Sequence, residues 1–554
     1  MNGTDTLAAA SIGYSYTYNS DGSLSRVNLS SPKVSGYEVY GYDNFDRVAD
    51  KVNSYKHSSA SSYFTIQTHY EYEELNDKTT GQVARYFSLV KGTTYAYEYT
   101  YDANGNITSA TNDAGKVIRY AYDDLGQLLR EDNEVLNKTY VYTYDNAGNI
   151  TSKKTYNLTA EDGALTSPTA TYNYTYGDST WGDKLTSYRG HTITYDAIGN
   201  PISYYNGSSY TFAWTGRRLA SATKGGLTYT YTYNDESIRT SKTVNGVTTT
   251  YYLNGSQIVG EETSGNITLY LYDASGSPVG MQYHGASYAA DVWDTYWFEK
   301  NLQGDIVAVY DTNATELIYY KYDAWGNTTV TYSNGGASTT ATKNPFRYRG
   351  YYYDSDLELY YLQTRYYDAK IGRFINADGY VSTGQGILGN NMYAYCNNNP
   401  VMYCDHSGEY FKSFLEYVAD LITYAIVANV FAIIESEVAV ANSDVEPMSD
   451  DQYDDILNNK DTSGLSREEQ IAYIRKYRER ILSDNNVEND QVVKNWSEAD
   501  MLREIVYHDR AYRFLKWIGL EDIQWGKQSK VVDFEEEQTF TTYFKRAIGN
   551  MMFW

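Results

Sequence analysis

Few side chains in this sequence combine the types and spacing that chemistry requires. Glu504 and His508 stand four residues apart, on one face of any helix that spans them, with Asp509 and Arg510 alongside. Such a group can hold a metal ion or move protons in a nuclease. It is also the composition of a surface ion-pair cluster, which is the commoner use. Arg347, Arg349, Arg365 and Arg373 are interleaved with aromatic residues. That pattern suits an RNA-binding face. Asp354, Asp356, Glu358 and Asp368 lie among them, however, and packing of arginines on rings and carboxylates accounts for the pattern better. The run Glu535–Glu537 reads as solvated acidic surface. No HExxH zinc helix, CxxC pair, phosphate loop or Gly-x-Ser-x-Gly elbow occurs, so no cofactor and no metal is expected.

The elements that would position these groups change character along the chain. The 554 residues exceed what one core usually serves. There are 65 tyrosines and only 7 prolines, and the tyrosines suit a half-wet pleated surface. A net charge of −25 argues against binding of nucleic acid or anionic lipid by the bulk of the chain. The only cysteines, Cys396 and Cys404, exclude a disulfide framework, and free thiols in a packed core are expected of them. No signal peptide opens the chain, which starts almost within a repeat, as the C-terminal part of something longer would.

Residues 1–343 carry that repeat. Tyr99-Thr100-Tyr101-Asp102-Ala103-Asn104-Gly105-Asn106 returns as Tyr142-Thr143-Tyr144-Asp145-Asn146-Ala147-Gly148-Asn149 and as Thr194-Tyr195-Asp196-Ala197-Ile198-Gly199-Asn200, with looser copies at Asp43, Asp123, Asp273 and Asp323. Asp102, Asp123 and Asp145 are 21 and 22 residues apart, the length of one hairpin. Tyr-x-Tyr places two rings on one face of a strand. The Asp can accept hydrogen bonds from the turn that follows, and the Gly supplies its positive φ. Because these groups track every repeat, cross-strand packing and turn capping explain them better than sugar binding or catalysis. The predicted fold is mainly β, a long antiparallel spiral of hairpins, followed by a small mainly α domain.

These units resemble the YD repeats of the RHS family, which also occur in teneurins and in the C components of insecticidal toxin complexes. Asn301-Leu302-Gln303-Gly304-Asp305 resembles the segment that precedes the family's core. The order Gly350…Asp354, Leu359-Tyr360-Tyr361-Leu362, Arg365-Tyr366-Tyr367-Asp368, Gly372-Arg373-Phe374, Asp378, Tyr393-Ala394-Tyr395, Asn399-Pro400 and Asp405…Gly408 is similar to the RHS-associated core. The resemblance implies a hollow β-shell (1–343) closed by residues 344–408, with residues 409–554 as an exchangeable C-terminal segment. In members that cut themselves, an aspartate pair works in the manner of an aspartyl protease. By motif that pair is Asp378 and Asp405, and the cut falls shortly after Gly408, near Glu409-Tyr410. The sequence departs from the family pattern at Gly379-Tyr380, in an insertion over Val381–Gly386, at His406 where Pro is usual, and at Glu409 where Leu is usual. Self-cleavage and a purely structural plug are both open readings.

Residues 409–554 switch composition. Phe411, Phe414, Leu415, Val418, Leu421 and Ile422 follow helical spacing, and Leu421–Ile434 is uncharged but too short to span a bilayer comfortably. Ser466 with Glu469 is a capping-box pair. Two functions fit: a secreted or surface bacterial carrier whose shell encloses its own C-terminal effector, with an immunity protein as partner, or a surface adhesin that binds glycans without catalysis. A silent cassette is a third. In none of them does the shell bind nucleic acid.

Overall fold

A computed structural model describes residues 12–413, apart from 20–22, 46, 61, 76–77, 160–162, 380–387 and 410–411. The predicted mainly β architecture is present throughout. One antiparallel sheet has 15 strands and a second has 14, each with its strands neighbouring in strict chain order. Only Ile193 separates the last strand of the first sheet, His191–Thr192, from the first strand of the second, Thr194–Tyr195. The predicted α domain lies outside the described residues, as do Glu504, His508, Tyr380 and Val381–Gly386.

The repeat folds by the same local chemistry at each turn. One oxygen of Asp102 accepts the backbone N–H of Asn104 (2.9 Å) and of Asn106 (2.8 Å). Its other oxygen accepts the Asn106 side-chain amide at 2.9 Å. The same arrangement recurs at Asp123, Asp145, Asp196 and Asp323. These carboxylates close turns, as the sequence indicated.

The tyrosine before each Asp does something that ring ladders alone do not require. Tyr122 donates its hydroxyl to the backbone oxygen of Ile107 (2.8 Å), and Tyr144 donates to Leu128 (2.7 Å). Tyr322 reaches Ile306 in the same way. Each acceptor is the first residue of the strand that follows the preceding turn. The hydroxyl therefore staples one repeat to the one before it and satisfies a carbonyl where the register shifts. Other tyrosines form the core: Tyr229 and Tyr231 are buried while the threonines between them face out.

The two sheets pack on one another. Leu29, Val34, Tyr55, Phe64 and Val90 of the first meet Leu271, Val279, Trp297 and Tyr310 of the second, with Tyr55 stacked on Trp297 at 4.4 Å. Asp273 draws in two half-buried lysines, Lys51 at 2.8 Å and Lys300 at 2.9 Å. Contacts of this kind join residues more than two hundred positions apart, which is how much chain runs between facing strands.

Within residues 344–408, Tyr352–Asp354, Leu359–Leu362, Arg365–Asp368 and Arg373–Phe374 make a separate four-stranded antiparallel sheet, with every residue of the last three strands buried. This core is seated on the repeat turns. Asn399 donates to Asn106 (2.9 Å), Asn398 to Gln127 (2.9 Å), and Asn391 to Asn149 (2.9 Å). The Tyr393 hydroxyl reaches the Gly199 carbonyl, and that of Tyr367 reaches the Trp325 carbonyl.

Candidate functional site

The four core arginines pack on rings, as expected. Arg347 lies over Tyr353 (4.2 Å), Arg349 over Tyr348 (4.8 Å), Arg365 over Phe374 (3.5 Å) and Arg373 over Tyr176 (5.2 Å). Their carboxylate partners differ from those that sequence proximity suggested. Asp354 turns toward the repeats and pairs with fully buried Arg239 (3.1 Å) and with Lys242 (3.1 Å). Asp368 accepts from Tyr204 and Asn206, also in the repeats. Alternation along short strands sends neighbouring side chains to opposite faces, so residues adjacent in sequence serve different neighbours.

Arg365 is thereby left for other partners, and these include both aspartates singled out by motif. Its guanidinium lies 2.9 Å from Asp378 Oδ2 and 3.3 Å from Asp405 Oδ2. All three side chains are buried. The Arg365 Nε–H also donates to the Gly408 carbonyl, the carbonyl of the peptide bond to Glu409. One guanidinium thus holds two carboxylates and one backbone oxygen together.

Local structure fixes the peptide bond in place. Asp405 Oδ1 accepts the Gly408 N–H at 2.7 Å, and Thr364 donates through its hydroxyl to the Ser407 carbonyl at 2.7 Å. Gly408 sits at φ 74°, and a Cβ there would fall 2.5 Å from the Leu362 oxygen, so only glycine fits. The chain then turns back, because Tyr403–Cys404 pairs with Lys412–Ser413. The Glu409 N–H donates to Ser407 Oγ at 3.2 Å. Asp405 is anchored from behind: its N–H donates to the Tyr351 hydroxyl (2.7 Å), which is 2.9 Å from that of Tyr395.

Burial pushes the Asp405 carboxyl up to about 6, against the downward pull of Arg365 and the Gly408 N–H; the neighbouring Asp378 adds to the rise. The arrangement therefore offers a carboxyl group able to hold a proton near neutrality, a second carboxylate, and a cation on the carbonyl between them. The His406 ring stands edge-on to Tyr351 at 5.4 Å. Cys396 and Cys404 are buried free thiols, and burial raises Cys396 well above the ordinary thiol range.

Arg365 is the site residue that sequence reasoning missed. Its signal was a cation beside the aromatic pair Tyr366-Tyr367, where a buried charge needs a carboxylate partner.

Residues 101–135 match the RHS Repeat family. The chain is 31% identical over 375 residues to the tRNA nuclease WapA of Bacillus subtilis, and equally to the tRNA3(Ser)-specific nuclease WapA of Bacillus spizizenii. Both alignments take in 58% of this chain and 15% of the relative, so the chain spans a small part of those proteins' length. It is 25% identical over 338 residues to a double-stranded DNA deaminase toxin A of Burkholderia cenocepacia, covering 56% of this chain and 22% of that one. Among solved structures, a Tc holotoxin pore of Photorhabdus luminescens with a substitution in TccC3 superposes with a TM-score of 0.53 at 18% identity, over 71% of this chain and 20% of that chain. A TcdB2–TccC3–Cdc42 structure gives 0.51 at 18%, over 75% and 22%. At that identity the likeness is one of fold. Repeat, strand order and core together make this chain similar to the RHS/YD-repeat proteins.

Proposed function

We propose that residues 1–408 form a YD-repeat container, and that the peptide bond after Gly408 is cut by the core itself to free residues 409–554 as a separate effector in an exported bacterial toxin. The observation that carries this is the contact of one buried guanidinium, Arg365, with Asp378, Asp405 and the Gly408 carbonyl. In the step we infer, water adds to the Gly408 carbonyl carbon and gives a proton to Asp378. Arg365 stabilises the oxygen as it takes up negative charge. Asp405 delivers its proton to the Glu409 nitrogen as the C–N bond breaks, leaving an amine on Glu409 and a carboxylic acid on Gly408, which becomes a carboxylate by giving its proton back to ionised Asp405.

The relatives named as a nuclease and as a deaminase toxin support the effector reading, since their activities are borne by chains that share the present sequence over more than half its length. Intact mass after purification tests the cut. Two fragments meeting at Gly408–Glu409, restored to one chain by Asp378→Asn or Asp405→Asn, are expected; a parent chain that stays whole for days overturns it. Expression of residues 409–554 alone in bacteria tests the effector, with growth arrest as the expected result. Benign growth would favour the adhesin.

A further inference from the structure

Three buried side chains stand together where the two sheets meet. Glu131, Lys153 and Asp323 expose 0%, 7% and 4% of their surface. Lys153 Nζ lies 3.1 Å from Asp323 Oδ2, across 170 residues of chain. Glu131 accepts the N–H of Ala324, the residue after Asp323, at 2.9 Å, and the Asn133 amide at 2.8 Å. The set shares no residue with the Arg365 site and stands independently of the self-cleavage reading.

Strand register brings these groups to one place. Lys138–Tyr144 runs between Leu128–Asn133 and Ile150–Asn157, with Glu131 opposite Tyr140 and Lys153 opposite Tyr142. Tyr140 and Tyr142 are two residues apart, so all four side chains share one face of the first sheet. The turn after Glu316–Tyr322 of the second sheet carries Asp323 to that face. Rings line the contact: Lys153 Nζ is 5.0 Å from the centre of the Tyr140 ring and 5.7 Å from that of Tyr142, which itself lies 5.7 Å from Trp325.

One cation thus faces two carboxyl groups in a medium that penalises charge. Burial, with the negative charge of Asp323, pushes the Glu131 carboxyl up to about 8, against the pull of the Ala324 N–H, Asn133 and Lys153. Glu131 therefore holds a proton at neutral pH, beside an amine in contact with a carboxylate. The contact of Lys51 with Asp273 is of another kind, because a second lysine, Lys300, shares that carboxylate. Desolvation opposes both charges there. Even so, Asp273 and Glu38 hold Lys51 above the ordinary lysine range, and Lys300 and Lys51 hold Asp273 below the carboxylate range, which keeps that contact ionic.

The two oxygens of Asp323 have separate duties. Oδ1 closes the turn by accepting the N–H groups of Trp325 (3.1 Å) and Asn327 (2.9 Å). Oδ2 faces Lys153 and accepts the Asn327 amide, which also donates to the Ala369 carbonyl at 2.7 Å. Loss of Oδ2 would leave the turn closed and the Asn327 amide still bonded.

We propose that Lys153 and Asp323 become joined by an amide bond between their side chains, with Glu131 as the proton carrier. The Lys153 ammonium passes a proton to Asp323 Oδ2, and the neutral amine adds to Cγ. Glu131 gives its proton to Oδ2, which leaves as water when the Cγ–Oδ2 bond breaks, and Glu131 takes a proton back from Nζ. One ammonium and one carboxylate become one amide and one water, with no change of oxidation state and no co-reactant. The water departs into the space that Lys153, Asp323 and Asn327 border. The bond ties the first sheet covalently to a turn of the second.

The test is intact mass and peptide mapping of the full chain after incubation for days at neutral pH. A deficit of one water is expected in the piece that carries both residues, whether or not the chain is cut at Gly408, together with a branched peptide that joins Lys153 to Asp323. Lys153→Arg keeps the charge but cannot form the bond, so deficit and branched peptide should both be lost. Glu131→Gln should lose them as well, with a circular dichroism spectrum like the parent's. That piece at its unmodified mass overturns the bond, as does a deficit without the branched peptide, or one that persists in Lys153→Arg. Glu131→Gln linking as fast as the parent overturns the role of Glu131.

Discussion

Asn399 donates its side-chain amide to the side-chain oxygen of Asn106 at 2.9 Å, across 293 residues of chain. Asn106 is also the residue whose amide nitrogen closes its own turn on Asp102. Gln127 and Asn149 are used in the same two ways, nitrogen to the turn and oxygen to the core. An amide is the side chain that can do both, since it carries a donor and an acceptor on one carbon.

Replacing that amide by a carboxylate should therefore be expensive. Asn106→Asp loses the donor to Asp102 and places two carboxylates against each other. Asn399→Ala removes this bond and the one its oxygen accepts from the Met402 N–H (3.2 Å), and leaves the buried Asn106 oxygen without its core donor, at about 1–3 kcal/mol for that oxygen. Urea unfolding of both variants should show losses, larger for Asn106→Asp; an unchanged midpoint for either would contradict the two-sided role.

The tyrosine hydroxyls supply a second prediction. Tyr122→Phe keeps the ring but strips the bond to the Ile107 carbonyl, and should cost about 1 kcal/mol or somewhat more. Tyr332→Phe alters an exposed ring and should stay within about 0.5 kcal/mol of the parent. Equal effects would mean that the staple contributes nothing.

The proposed self-cleavage should depend on pH through Asp405. As proton donor it must be neutral, and its carboxyl titrates at about 6. Its protonated fraction falls as pH rises through that value, so the rate should drop about tenfold per pH unit above 6. Time courses of fragment appearance between pH 5 and 8 read this directly. A rate that climbs with pH would exclude Asp405 as the acid.

Glu299 gives a stability counterpart. It is buried between the sheets, where Ser88 and Tyr310 donate to it, and burial pushes its carboxyl up to about 7. The folded state then holds a proton that the unfolded state releases above about 4.5, so this group's contribution falls as pH rises from about 4.5 to 7. The whole effect is at most roughly 3 kcal/mol. Glu299→Gln should flatten the decline and be more stable than the parent at pH 8. A variant that tracks the parent across that range would remove Glu299 from the account.

Much of the fold was legible because its causes are local. The Asp that caps a turn, the Gly beyond it and the Tyr-x-Tyr strand each act within a few residues, so the hairpin could be read at Asp102 and again at Asp145. Asp378 and Asp405 were legible by motif, and they share one guanidinium. What was not legible depends on which strands end up face to face. Nothing near Arg365 in the chain says that it turns from Asp368, three residues away, to Asp405, forty residues on. Such pairings are set by the packing of the two sheets and the seating of the core, which no short window of sequence contains.

A guanidinium that faces two carboxylates before the cut would face three after it. Hydrolysis at Gly408 turns the oxygen beside Arg365 into part of a new carboxylate, which Arg365 would hold more tightly than it held the amide oxygen. Thr364 would still grip Ser407, so the new chain end stays where it was made. On the proposed reading the site would be a fuse and not a protease: it would act once, on its own chain, and its product would block it. A peptide spanning residues 403–413, added to the already cleaved protein, should remain whole.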